Sequence, residues 1–185
     1  MKSVLMFLIV SGIVLWMLCK SGAADFADHN LVQKNNAFAL DLFHRLDSQG
    51  KNLFISPYSI SSAFAMCYAG AEGNTKKEMS KVFHFNADQE QLNKGFADLD
   101  GMLEKIQEKR KVEMHIANSL WAQNDYPFLP EYVSTIDKYY GADIKGIDFK
   151  RNPENARKKI NAWTEEKTND LIREIIPQGV LTPLA

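Results

Sequence analysis

The serine–proline pair at positions 56–57 is the sharpest local constraint in this chain. A serine side chain can accept from the open N–H groups of a first helical turn. A proline at the first helical position brings the φ the helix requires and has no N–H to leave unsatisfied. A helix therefore begins here. It runs from Tyr58 to about Ala69, with Ile60, Ala63, Phe64, Cys67, Tyr68 and Ala71 on one face, and Gly70 and Gly73 close it. Just upstream, Asn52-Leu53-Phe54-Ile55 reads as a short strand that stops at the pair.

The same periodicities order the rest of the chain. Leu31, Phe38, Leu42, Phe43 and Leu46 mark an amphipathic helix within Phe26 to Leu46. Thr75-Lys76-Lys77-Glu78 has the capping-box pattern, with a short helix through Met79 to Phe83. Leu92, Phe96, Leu99, Leu103 and Ile106 mark a helix from Asp88 to about Gln107. Val112, Met114 and Ile116 alternate with Glu113, His115 and Ala117, which predicts a strand over Val112 to Gln123. After a turn at Asn124 to Pro127, a helix is expected from Pro130 to Tyr140, ended by Gly141. A strand follows over Ala142 to Phe149, and then a long helix from Pro153 to about Glu174. About six helices and three strands predict an α+β fold, with sheet edges left unpaired.

The first residues read as an address. Met1-Lys2-Ser3 is a short basic start, Val4 to Leu18 is apolar apart from Ser11 and Gly12, and Ser21 to Ala24 are small. This is the pattern of a secretory signal peptide over 1–24, cut near Ala24; the apolar run is short for a membrane span. The expected location is extracellular, or periplasmic in a bacterium, with no stable membrane anchor. Removing Lys2 and Lys20 with this segment leaves 20 basic against 23 acidic residues, net −3, and one cysteine, Cys67. Stability must then come from packing, without disulfides.

Few patterns for catalysis are present. Cys67 lies on the apolar face of its helix and reads as a small buried hydrophobe. His29, His44, His84 and His115 have no metal-ligand spacing, and there is no glycine-rich phosphate loop or nucleophile elbow. No catalytic residue, metal or cofactor is assigned. Two basic clusters occur, Lys105 with Lys109, Arg110 and Lys111, and Lys150 with Arg151, Arg157, Lys158 and Lys159. Interspersed acids make both solvated charged faces on first reading, with an anionic polysaccharide contact as the second reading of the first cluster. No aromatic residues interleave them as single-stranded nucleic acid would require.

The stretch Asn52-Leu53-Phe54-Ile55-Ser56-Pro57-Tyr58-Ser59-Ile60, extended through Thr75, closely resembles the serpins. The resemblance continues in order through Asn118-Ser119-Leu120-Trp121, Tyr139-Tyr140-Gly141-Ala142, Ile147-Asp148-Phe149 and Ile160-Asn161-Ala162-Trp163 with Thr168. It covers about 37–185. It implies an inhibitor of serine, sometimes cysteine, proteases, not an enzyme, in which a cleaved bait loop inserts into the central sheet. It also implies that Asn52, Ser56, Pro57 and Ser59 belong to the region where that sheet opens, and that Asn161 and Thr168 belong to the helix lying across it. Where the family commonly has Thr-x-Gly-Lys-Ile, this chain has Thr168-Asn169-Asp170-Leu171-Ile172, a stretch that can continue the helix.

By this resemblance, 25–185 is the N-terminal part of a serpin domain, ending before the third strand of the central sheet and the reactive loop. The expected partner of a full-length protein is a serine endopeptidase, and this chain by itself is not expected to inhibit one. The competing expectations are a non-inhibitory serpin-like carrier or chaperone, and an independent short secreted binding domain.

Overall fold

A computed structural model describes residues 29–46, 52–85, 88–110 and 116–182. The element order is α1 (His29–Leu46), α2 (Pro57–Ala69), α3 (Gly73–Phe83), α4 (Gln89–Arg110), β1 (Leu120–Gln123), α5 (Pro130–Tyr140), β2 (Ile144–Ile147) and α6 (Pro153–Lys167). The segment read as a signal peptide lies outside the described residues. So do Phe26 at the expected start of α1 and residues 112–115 of the strand expected over Val112 to Gln123.

The α+β reading holds, with helices outweighing a two-stranded sheet. β1 and β2 pair in parallel, with Leu120 opposite Ile144 and Gln123 opposite Ile147. A parallel pair needs a crossover, and α5 supplies it. Proline and glycine set the bounds of α5: Pro130 stands at its start, and Gly141 ends it at φ 54°, where a side chain would be strained.

Four helices build the main core around aromatic rings. Leu31 and Phe38 of α1, Ala65 and Tyr68 of α2, Phe83 of α3, and Leu92 and Phe96 of α4 are buried together with Phe85. Rings of Phe83 and Phe85 stack at 5.3 Å, and Phe96 meets Tyr58, Phe85 and Tyr140 at 6.0–6.2 Å. A second cluster joins Met66 of α2 to Ile136 of α5 and Ala142, and it carries the sheet through Leu120 and Ile144. At the end of α2 the packing is close. A Cβ on Gly70 would stand 2.9 Å from the Tyr132 ring, whose hydroxyl donates to the Met66 carbonyl at 3.1 Å.

Several expectations are corrected. Asn52 to Ile55 form no strand: a strand needs a neighbour to pair with, none is present among the described residues, and Phe54 is fully exposed. The buried face of α2 is Ser61, Ser62, Ala65, Met66 and Tyr68, so Cys67 is exposed and not a core residue. Partial desolvation beside the helix still pushes its thiol pKa up. α3 starts before the supposed capping box, with Glu72 at the cap position and no side-chain cap, which places Thr75 inside the helix. The two strands are four residues each, shorter than the alternation suggested. Finally, α6 stops at Lys167, seven residues before Glu174.

Candidate functional site

The residues singled out from the sequence fall into two groups. The first is the entry to α2. Ser56 caps the helix: its Oγ accepts from the Ser59 N–H at 3.3 Å and lies 2.9 Å from Ser59 Oγ, with Pro57 in the first turn. Asn52 stands exposed in the coil that leads in. The small hydroxyls make a compact turn closed on itself, as the sequence implied.

The second group lies on and after α6. Asn152 caps this helix through Asn155 N–H at 3.2 Å. Apolar Ala156, Ile160 and Trp163 share a stripe, and Trp163 meets Trp121 of β1 edge-on at 6.1 Å. The Lys145 ammonium of β2 lies over both indoles, at 5.4 and 5.5 Å, a cation–π contact that ties helix to sheet. Asn161, 7% exposed, accepts from the N–H groups of Ile175 and Ile176 at 3.1 and 3.0 Å and donates to the Ile176 carbonyl at 2.9 Å. Thr168 Oγ1 donates to the Thr164 carbonyl at 2.8 Å and accepts from Ile172 N–H at 3.0 Å.

Among the described residues no hydrogen bond or ion pair joins the two groups: Ser56 and Ser59 bond within their own turn, while Asn161 and Thr168 hold the chain that follows α6.

The chain turns back directly after Thr168. Asn169 and Asp170 take φ 49° and 62°, in the left-handed region that asparagine and aspartate tolerate better than other side chains. Their conformation reverses the chain, so the helix does not run on.

Other residues carry contacts that periodicity did not mark. Arg157 is not part of a solvated face: it pairs with Glu154 at 2.8 Å and Glu174 at 2.7 Å, with its side chain 13% exposed. The hydrogen bond from Arg157 holds the Glu154 carboxyl below its usual range. Lys150, Arg151, Lys158 and Lys159 are exposed as expected. Lys105 of the first cluster is exposed on α4, while Lys111 lies outside the described residues. Gln123 closes β1 onto the turn after β2, accepting from Phe149 and Lys150 N–H and donating to Asp148. The Arg151 N–H and then Gln123 hold the Asp148 carboxyl low. No group of three or more His, Cys, Asp or Glu among the described residues is placed to hold a metal, and no helix there is long and apolar enough to cross a membrane.

A cleft of about 570 Å³ opens between α4, residues 116–118 and the end of α5, with Asp100, Glu104, Ile116, Tyr140 and Lys167 on its walls. Two of its lining residues also bond into the neighbouring helices. Tyr58 donates to Asp100 at 2.6 Å, and Tyr140 donates to Asn93 at 2.8 Å.

A family model described as Serpin (serine protease inhibitor) matches residues 33–185. The chain belongs to the serpin family. Its serpin relatives include the human leukocyte elastase inhibitor, 40% identical over 153 residues, and a serpin-like protein of Methanosarcina mazei, 37% identical over 160 residues. These alignments take in 82% and 84% of the chain but 40% and 37% of the relatives. Emu ovalbumin superposes with a TM-score of 0.66 at 29% identity, over 83% of this chain and 43% of that one. Cleaved Serpin 42Da superposes with a TM-score of 0.69 at 24% identity, a likeness of fold alone. The chain thus spans less than half the length of these serpins.

Proposed function

We propose that this chain supplies the N-terminal, helix-rich part of a secreted serpin-type inhibitor of serine endopeptidases. The observation that carries the reading is the 40% identity to the leukocyte elastase inhibitor across 82% of this chain, within a family match that reaches residue 185. In this reading the span holds the frame on which a central sheet opens. Ser56, Pro57 and Ser59 form the small, capped turn at the entry to α2, and α6 lies against the sheet through Trp163, Trp121 and Lys145. The bait peptide and the strand it becomes belong to a different part of the fold. Trapping needs strain released by adding that strand, so the span on its own has no means of holding a protease.

Incubating the 185-residue chain with trypsin-, chymotrypsin- and elastase-like proteases and running a denaturing gel tests this division of labour. The expected result is cleavage without any denaturant-stable complex; a stable complex would place the bait within this span and overturn the reading. Export is proposed on the basic start, apolar run and small residues of 1–24. The mature N-terminus should lie near Asp25, as read by N-terminal sequencing of protein recovered from the medium; Met1 retained on that protein would count against export by cleavage.

A further inference from the structure

Arg157, Asn161, Thr164 and Thr168 recur every three or four residues and share one stripe of α6. All are polar, yet Asn161 and Thr164 are each 7% exposed and the Arg157 side chain 13%. Buried polar groups need partners, and most of these partners come from the chain just beyond the helix. Ile172 N–H reaches Thr168, the N–H groups of Ile175 and Ile176 reach Asn161, and Arg157 Nη1 donates to Glu174 at 2.7 Å and to the Ile176 carbonyl at 3.2 Å. Rising numbers after the turn meet falling numbers on the helix, so the segment runs back antiparallel along α6.

Apolar burial contributes little to this contact. Leu171 is 85% exposed, Ile175 58% and Ile172 47%, and of the segment's apolar side chains only Ile176 is half-buried. A segment held by hydrogen bonds and by ion pairs, Arg157–Glu174 at 2.7 Å and Arg173–Glu165 at 3.6 Å, differs from one held by a core. When it lifts, the groups uncovered on both sides are polar and are taken up by water, so opening carries a small penalty. The helix is anchored separately, on its neighbouring stripe, by Ala156 and the Trp163–Trp121–Lys145 stack.

We propose that residues 171–176 are a strap buckled to α6 by Arg157, Asn161 and Thr168, and that this strap opens as a unit of its own while α6 stays folded and docked. The device is a property of this segment whether or not the protein traps a protease. It uncovers the outward stripe of α6 without moving the helix, and so separates release of the strap from movement of the helix.

Amide hydrogen exchange on the full chain reads the two units separately. In the unmodified protein, the Ile175 and Ile176 amides should exchange roughly tenfold or more faster than those of Ile160 and Thr164 within α6. Asn161→Leu should accelerate the strap amides by roughly a further tenfold and leave α6 within about twofold. Arg157→Met is the stricter variant, because Arg157 bonds none of these amides directly. Faster exchange at Ile175 and Ile176 in that protein, with the α6 amides unmoved, reports opening of the strap as a whole. Equal acceleration of α6 and strap would show one cooperative unit and overturn the proposal, as would strap amides unmoved by Arg157→Met. If Asn161→Leu leaves α6 unprotected, Arg157→Met decides between the same two outcomes.

Discussion

Replacing Phe96 with alanine lowers the unfolding free energy by about 3–5 kcal/mol, the usual cost of emptying a fully buried aromatic site. Phe96 is 0% exposed and lies at the junction of the aromatic core. Its ring meets Tyr58 from α2, Phe85 from the turn after α3 and Tyr140 from α5. Three elements therefore lose a contact at once, and the helices around the site cannot collapse into it without parting from one another. Phe43, on the outer face of α1 and 43% exposed, is the control: alanine there should change stability by about 0.5 kcal/mol or less. Urea unfolding followed by the fluorescence of Trp121 and Trp163 gives both numbers. Equal losses at the two positions would contradict the placement of the core.

Stability falls steeply above pH 10 in the same region. Burial, with the Asp100 carboxylate beside it, pushes the Tyr58 phenol well above its ordinary 10.0, and burial does the same to Tyr140. A raised folded value means that the folded state holds its proton where the unfolded chain gives it up. The stabilisation is complete below pH 10 and is lost as pH rises beyond it, by about 1.4 kcal/mol per pH unit for each phenol held neutral. Asp100 acts at the acid end: its carboxyl is raised, chiefly by burial, so its ionised form costs stability at neutral pH and protonation relieves that cost. The expected result is a flatter alkaline limb in the double variant Tyr58→Phe/Tyr140→Phe, seen by comparing urea midpoints at about pH 9 and about pH 11. An unchanged slope would mean that the two phenols are not held neutral.

Much of this fold is legible where a residue acts on its own backbone. Pro130 and Gly141 bound α5 because one fits the first turn and the other takes a left-handed φ; Ser56 with Pro57 opens α2 for equally local reasons. The misreadings arise where a neighbour decides. Asn52 to Ile55 has the composition of a strand, but no described strand lies alongside to take its hydrogen bonds. Apolar spacing points to Ile60, Ala63, Phe64, Cys67, Tyr68 and Ala71 as the inner face of α2, whereas the packing buries Ser61, Ser62, Ala65, Met66 and Tyr68 and leaves Phe64 45% exposed. Helical periodicity carried α6 on to Glu174 because Ile172 fits the pattern. The left-handed pair at Asn169 and Asp170 ends it, and that signal lay in two residues known for tolerating this conformation. Of the polar stripe Arg157, Asn161, Thr164 and Thr168, only Arg157 falls in a cluster that charge alone reads as a solvated face; its pairing with Glu174 depends on the chain turning back, which a charge pattern does not show.

The most direct test of the proposed role is a chimera in which residues 33–185 replace the matching span of the human leukocyte elastase inhibitor, incubated with an elastase and resolved on a denaturing gel. If this span is the sheet-opening frame of a serpin, the chimera forms a complex with the protease that survives denaturant. If a chimera that folds, shown by a cooperative urea transition, is instead cleaved as a substrate with no such complex, this span does not provide that frame, and the inhibitory reading fails.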